Sequence, residues 1–302
     1  VLKWDTNIEP NKNKICNPFP YMEQKILEEL EFIDESRIFT SKAELYAYGF
    51  DASIHHATPD IVIRPKDSEE VERVVTIANE HGLPIVARGA GTALCGQAVP
   101  IHGGIILDMT GMNKIKEVRI EDLYCVVEPG VIYAQLNEEL GKYGFFFPPT
   151  PGSGDVCTIG GMIAVNASGA RAIKYGATRD YVLGLEVVFP YGRVRFGGKT
   201  LKNSAGYQVE RLIVGSEGTL GIITEATLRI FPLPERKAVA LASFDNVIKA
   251  GEGVADIISA GLLPSALEIM DNVCIQAVNK SMAIGLPDAE AILLIEVDGK
   301  ES

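Results

Sequence analysis

The chain is short of positive charge, aromatics and histidine. Lys plus Arg total 28 against 40 Asp plus Glu, so the net charge is −12. Nucleic-acid binders carry a basic surplus, and its lack here argues against that class of partner. No apolar run approaches the roughly 18 residues of a membrane span. Five cysteines (Cys16, Cys95, Cys125, Cys157, Cys274) are scattered, with no CxxC pair and no secretory signal before them. That usage fits a reducing compartment, so a cytoplasmic location is expected. Four histidines are present. His55 and His56 are adjacent and read as a surface loop or a metal pair, His81 stands beside a helix stop, and His102 has no motif around it.

What is present is a globular mix. With 47% apolar and 23% charged residues, disordered, collagen-like and coiled-coil chains are excluded. A length of 302 residues corresponds to about two domains. Glycine is the surplus residue, at 30.

Residues 1–20 are polar with Pro10, Pro18 and Pro20, and read as a surface lead. Ile26, Leu27, Leu30 and Ile33 predict a helix over 21–33. From Pro59 the pattern becomes strand, helix, strand. Residues 61–63 are the first strand, Asp67 and Glu70 predict a capping box, and Val71, Val74, Val75 and Ala78 share a helix face. Gly82 and Pro84 stop that helix before a strand at 85–87. Further strands are predicted at 104–109, 124–128, 183–189, 193–196 and 221–231, with a turn at Tyr191-Gly192. A helix is predicted over 132–143. Pro232-Leu-Pro234 marks a boundary, followed by strands at 238–244, 265–270 and 291–297 and helices at 246–260 and 272–280.

Four glycine-rich clusters stand out. The first, Arg88-Gly-Ala-Gly-Thr-Ala-Leu-Cys-Gly96, follows a strand, and its glycines allow successive N–H groups to turn towards an anion. A dinucleotide fingerprint would place a third glycine where Leu94 stands and open a helix there, so a phosphate loop of another kind or a plain turn are the two readings. The second runs from Pro148 to Gly169 through Gly160-Gly161, where small residues admit either a ring system or a tightly packed helix. The third holds Arg171, Lys174 and Arg179, read either as a solvated face or as the flank of a phosphate or an electron-rich ring. The fourth, Gly215-Ser-Glu-Gly-Thr-Leu-Gly221, enters a strand as the first leaves one; a tight hairpin is the alternative.

Together these segments, with Lys202-Asn-Ser-Ala-Gly-Tyr207, resemble the FAD-binding domain of the vanillyl-alcohol oxidase / p-cresol methylhydroxylase (PCMH) flavoproteins. The branch most similar is the FAD-linked 2-hydroxy-acid dehydrogenases, which include glycolate oxidase flavin subunits and D-lactate dehydrogenases. The resemblance implies an α+β fold: a lead with a helix at 1–49, a two-subdomain PCMH-type FAD-binding domain at 50–235, and an incomplete α+β (ferredoxin-like) substrate cap at 236–302.

It also implies residue roles. Ala87, Arg88, Gly89, Ala90, Gly91, Thr92 and Ala93 would wrap the pyrophosphate, with Gly96 and Gln97 continuing the loop. Pro151, Gly152, Ser153, Asp155 and Thr158 would pass beside the ribityl chain and ring. Gly160 and Gly161, then Asn166, Ala167 and Ser168, would extend that wall. Glu217, Gly218, Gly221, Ile222 and Ile223 would close the other side, with Glu128-Pro-Gly130 near the adenine half. Relatives that attach flavin covalently carry His where Thr92 stands, so non-covalent FAD is expected.

The implied chemistry is oxidation of a small (D-)2-hydroxy acid, such as D-lactate or glycolate, to the 2-keto acid, with electrons passed to a protein or quinone-type acceptor. The family's substrate arginines, metal-ligand histidines and Ser-Gly-Glu-His segment follow the stretch matching Leu267 to Asp271, and no such segment occurs before Ser302. The chain is therefore expected to be the N-terminal portion of such an enzyme. No catalytic base and no metal site are assigned, and the strand at 291–297 is expected to lack later partners. The alternative is an FAD-holding electron-transfer subunit without its own substrate site, partnered by an iron–sulfur protein or an electron-transfer flavoprotein. Alkylglycerone-phosphate synthesis or a reductase is a third reading. A homo-oligomer is compatible with each.

Overall fold

The computed structural model describes residues 22–282 and 284–300. The lead expected at 1–20 lies outside the described residues. Helix α1 (Met22–Glu29) is shorter than the predicted 21–33. Beyond Glu29 the N–H groups of Glu31 and Ile33 bond carbonyls three residues back, as turns, although Leu30 and Ile33 stay buried.

The first sheet contains β1 (Ile38–Phe39), β2 (Ile61–Ile63), β3 (Ile85–Arg88) and β4 (Ile105–Asp108), in the order β1-β2-β4-β3. Between β1 and β2 lies α2 (Lys42–Tyr48), which the sequence reading missed although Ser41 and Glu44 form a capping box there. Between β2 and β3 runs α3 (Ser68–His81). Both β2 and β3 pair in parallel with β4, which sits between them, so the strand-helix-strand unit skips one place in the sheet.

Asp67 caps α3 by accepting the Glu70 N–H at 2.9 Å. The predicted box is incomplete. The Glu70 carboxylate turns to Arg37 (Nη2, 2.8 Å) and to the Lys66 N–H (2.9 Å), because a buried carboxylate needs a cation more than the cap residue needs a second bond. Gly82 ends the helix at φ +64°, a left-handed turn open to glycine.

The second sheet is antiparallel. Its members are β5 (Ile115–Arg119), β6 (Tyr124–Val127) and, after α4 (Tyr133–Gly141) and the two-residue β7 (Phe145–Phe146), β8 (Val182–Phe189), β9 (Gly192–Gly197) and β10 (Ile222–Arg229). Strand order is β5-β6-β10-β8-β9, and a short β11 (Phe231–Pro232) pairs with β7. Pro190 and Tyr191 make the β8–β9 turn, one residue before the predicted place, because Gly192 already pairs with Phe189. Three short helices, α5 (Ile159–Ala164), α6 (Ala172–Tyr175) and α7 (Glu210–Ile213), lie in the long connections.

Leu136 and Leu140 of α4 are fully buried over one face of this sheet, each worth about 1.5–3 kcal/mol. On the other face Val188 and Ile222 join the core around α3, and Ser68 Oγ donates to Glu186 Oε1 at 2.6 Å. Helix α3 is therefore shared by both sheets.

The third sheet has β12 (Arg236–Phe244), β13 (Ala266–Asp271) and β14 (Ala291–Gly299), with α8 (Val247–Ser259) and α9 (Asn272–Met282) between them. The last strand takes both of its partners from earlier in the chain. The α8 crossover leaves β12 and β13 parallel and one strand apart, and β14 fills the gap antiparallel to both.

At the carboxyl end of β4, Asp108 collects a polar cluster. It accepts from Tyr48 Oη (2.6 Å), Arg64 Nε (2.8 Å) and Thr110 Oγ1 (2.6 Å) while 2% exposed. Burial by itself raises the Asp108 carboxyl; the hydrogen bonds from Thr110, Tyr48 and Arg64 outweigh it and hold it below its ordinary range. The associated stabilisation is complete above the unfolded value of about 3.9 and is lost as pH falls through the lower folded value. Asp108→Asn should lower stability at neutral pH by about 1–3 kcal/mol and shrink that loss between neutral and acid pH. Urea titrations of both proteins at pH 7 and pH 3.5 check this; equal pH dependence would contradict it.

Candidate functional site

Between the two larger sheets lies a cavity of about 320 Å³. It opens at the carboxyl end of β3, where parallel sheets place ligand crevices. The first glycine cluster forms one rim as an irregular loop with no helix. None of the N–H groups from Ala90 to Ala93 donates to a described residue. The loop folds over the Arg88 side chain, whose Nη1 donates to Phe50 O at 2.6 Å. Gly91 sits at φ +69°, and a Cβ there would lie 2.2 Å from Arg88 Nη2. Burial pushes the Arg88 guanidinium down, while Asp108, Tyr48 and Asp51 act in the opposite sense.

The opposite rim begins at Thr158, the N-cap of α5, whose Oγ1 accepts the Gly161 N–H at 3.3 Å. A Cβ on Gly89 would stand 2.1 Å from that same Oγ1, and one on Gly160 would stand 2.6 Å from Pro129 Cβ. These glycines let the two rims touch. The fourth cluster supplies the third wall. Glu217 is non-glycine at φ +54°, its N–H donates to Ala164 O at 2.9 Å, and its Oε1 accepts Gln97 Nε2 at 3.4 Å across the rim. A second cavity of about 450 Å³, lined by Arg64, Thr110, Asn113 and Gln135, adjoins the first and shares Ala90 and Thr158 with it.

The cavity lining brings together Ala87, Arg88, Gly89, Ala90, Gly91, Thr92, Ala93 and Gln97. It adds Pro151, Ser153, Thr158, Gly160, Gly161, Ala167, Glu217, Gly218, Gly221 and Ile223. Six expected residues lie outside that lining. Gly96 turns the chain at φ +83° against His55. Gly152, Asp155 and Ser168 face solvent. Asn166, at φ +49°, spends its Oδ1 on the Arg179 N–H (2.9 Å). Ile222 points into the core around α3, because strand alternation gives the cavity side to Ile223.

Met109, Ala98 and Met162 line the cavity without having been read from the sequence. For Met109 the usable signal was its place just past a parallel strand. Tyr48 and Phe50, which lie behind the loop, belong to none of the four glycine-rich clusters.

The solvated-face reading does not hold for Arg171 and Lys174. Arg171 Nε bonds Glu296 Oε1 at 2.8 Å, and Lys174 Nζ bonds the Asp298 carboxylate, so both grip β14. Arg179 is exposed. The His56 ring packs at a tilt against Phe50, centroids 4.3 Å apart, and His81 meets Glu29 at 2.8 Å. Among the described residues no group of three or more His, Cys, Asp or Glu is placed to hold a metal ion. No helix among them is long and apolar enough to cross a membrane.

The FAD binding domain family matches residues 59–198, and the C-terminal domain of FAD linked oxidases matches 233–302. The chain is 46% identical over 262 residues to glycolate oxidase subunit GlcD of Bacillus subtilis, covering 86% of this chain and 56% of that protein. It is 38% identical over 283 residues to the mitochondrial D-lactate dehydrogenase [cytochrome] of Arabidopsis thaliana, covering 92% and 49%. The chain thus spans about half the length of the curated relatives it matches. A solved alkyldihydroxyacetonephosphate synthase superposes with a TM-score of 0.80 at 25% identity, over 98% of this chain and 58% of that one. By these matches the chain belongs to the FAD-linked oxidase family.

Proposed function

We propose that this chain holds FAD non-covalently in the 320 Å³ cavity and serves the oxidation of a small D-2-hydroxy acid, such as D-lactate or glycolate, to the 2-keto acid. The observation that carries the cofactor reading is the run of N–H groups from Ala90 to Ala93, free of partners among described residues, in a loop that lines the cavity. Such a run fits the phosphate oxygens of a dinucleotide. The names of the relatives supply the substrate class: glycolate oxidase subunit and D-lactate dehydrogenase.

The residues divide the work. The loop N–H groups bind the pyrophosphate, and Thr92 adds a hydroxyl donor while offering no imidazole for covalent attachment. Gly89 and Gly160 let the walls close on each other, at Thr158 and Pro129, and so set the width left for the ring system. Met109, Met162 and Ile223 form an apolar floor that excludes water. Gln97 and Glu217 bridge the rim. The bound flavin supplies the acceptor for the hydride that leaves the hydroxy-acid carbon.

The same reading places an FAD-binding unit at 50–235 and the start of a substrate cap at 236–302, after a lead at 1–49. Electrons leave for a protein or quinone-type acceptor, and "subunit" in the name of a relative supports a partner chain. Free Cys95, Cys125, Cys157 and Cys274 support a reducing, cytoplasmic setting.

Titration with FAD should quench flavin fluorescence at a one-to-one ratio, and acid precipitation should release the yellow chromophore into the supernatant. A yellow pellet would refute the non-covalent attachment. Gly89→Val, which drives a side chain into Thr158, should weaken FAD binding at least about tenfold, measured by the same titration. A dye-coupled screen of D-lactate, glycolate and D-2-hydroxyglutarate separates the two functional readings. Turnover by the FAD-loaded chain alone supports the oxidising enzyme and excludes an FAD-holding subunit without its own substrate site.

A further inference from the structure

We propose that Arg171, Lys174 and Tyr175 are positioning residues that couple filling of the cavity to docking of the C-terminal sheet. The proposal rests on the FAD reading for what fills the cavity. Three donors, two on α6 and one at its N-cap, meet two carboxylates spaced two apart on one face of β14. Arg171 forks onto Glu296 through Nε (2.8 Å) and Nη2 (3.2 Å), a planar match that Lys would not reproduce. Ser265 Oγ adds a third bond to Glu296 at 3.0 Å. Lys174 Nζ bonds both the carboxylate and the backbone carbonyl of Asp298, and Tyr175 Oη donates to its Oδ2 at 2.8 Å. The Asp298 side chain is 1% exposed, so these donors stand where water would otherwise bond its oxygens.

The other end of the same segment is cavity wall. Val165 and Ala167 line the cavity. The Ala167 carbonyl accepts both the N–H (3.0 Å) and Oγ1 (2.7 Å) of Thr178, which is fully buried. Asn166 Oδ1 holds the Arg179 N–H (2.9 Å). These bonds close residues 166–179 into one compact loop with α6 at its centre. Gly169 seats that loop on the Thr150 carbonyl, where a Cβ would stand 1.7 Å from the oxygen. A ligand that orders 165–168 therefore orders the donors that hold β14, and a docked β14 orders the wall in return. The coupling is reciprocal by thermodynamic necessity.

Hydrogen exchange on the full chain, with and without FAD, alongside a fluorescence titration, tests this. In the wild type, FAD should slow exchange in 291–299 as well as in the cavity loops. The Arg171→Met/Lys174→Met variant should exchange faster at 291–299 even without FAD. It should also lose the FAD response there and bind FAD about five- to tenfold more weakly. Combining Arg171→Glu with Glu296→Arg should recover protection that Arg171→Glu alone loses. If Arg171→Glu fails to fold, recovery of folding in the pair supports the proposal, and failure of the pair overturns it. FAD binding without any protection of 291–299, or a variant with wild-type affinity and protection, overturns the coupling alone. Absence of FAD binding by the wild type overturns the cofactor reading and the coupling with it; faster exchange in the unloaded variant would then leave only the ion-pair contact standing.

Discussion

The contact between the Gly89 backbone and Thr158 Oγ1 sets the site. A loop leaving the first sheet and a cap opening α5 beside the second meet with no side chain between them. Any Cβ at 89 would displace Thr158 and, with it, the bond that holds the Gly161 N–H. The cavity exists because two backbones close at one point and diverge beyond it. The buried Asp108 cluster behind the loop resists any sideways slip, since Tyr48, Arg64 and Thr110 converge on one carboxylate.

The larger frame follows from α3. It covers the first sheet, packs against Val188 and Ile222 of the second, and reaches Glu186 through Ser68. Because one helix serves both cores, the sheets cannot separate without exposing apolar surface from each. That rigidity gives the glycine loops a fixed width to span. The third sheet attaches differently, through charge: Arg171 and Lys174 meet carboxylates of β14 rather than a shared apolar core. Ion pairs of this kind are directional, so they specify where the sheet sits more than how tightly it holds.

Much of the fold was legible because its signals are local. Asp67 and Gly82 bracket α3, alternating apolar runs mark the strands, and paired prolines mark the entry to the third sheet. The site was legible because glycine spacing is itself a backbone statement: Gly89, Gly91, Gly160 and Gly161 sit where close approach or positive φ demands them. What failed to read was what depends on distant partners. Glu70 looks like half of a capping box until Arg37 is brought beside it. Met109 looks like an ordinary apolar residue until β4 is placed between β2 and β3.

The sequence by itself determined the strand and helix periodicity, the glycine loops, the acidic balance and the family to which they belong. Tertiary structure alone decided which side of each loop faces the cavity, that Ile223 rather than Ile222 enters it, and that β14 is a central strand. It also decided that Arg171 and Lys174 meet carboxylates of the third sheet. The reason is physical: backbone propensity acts over a few residues, whereas a buried charge takes its meaning from whichever opposite charge folding carries to it across more than a hundred positions of chain.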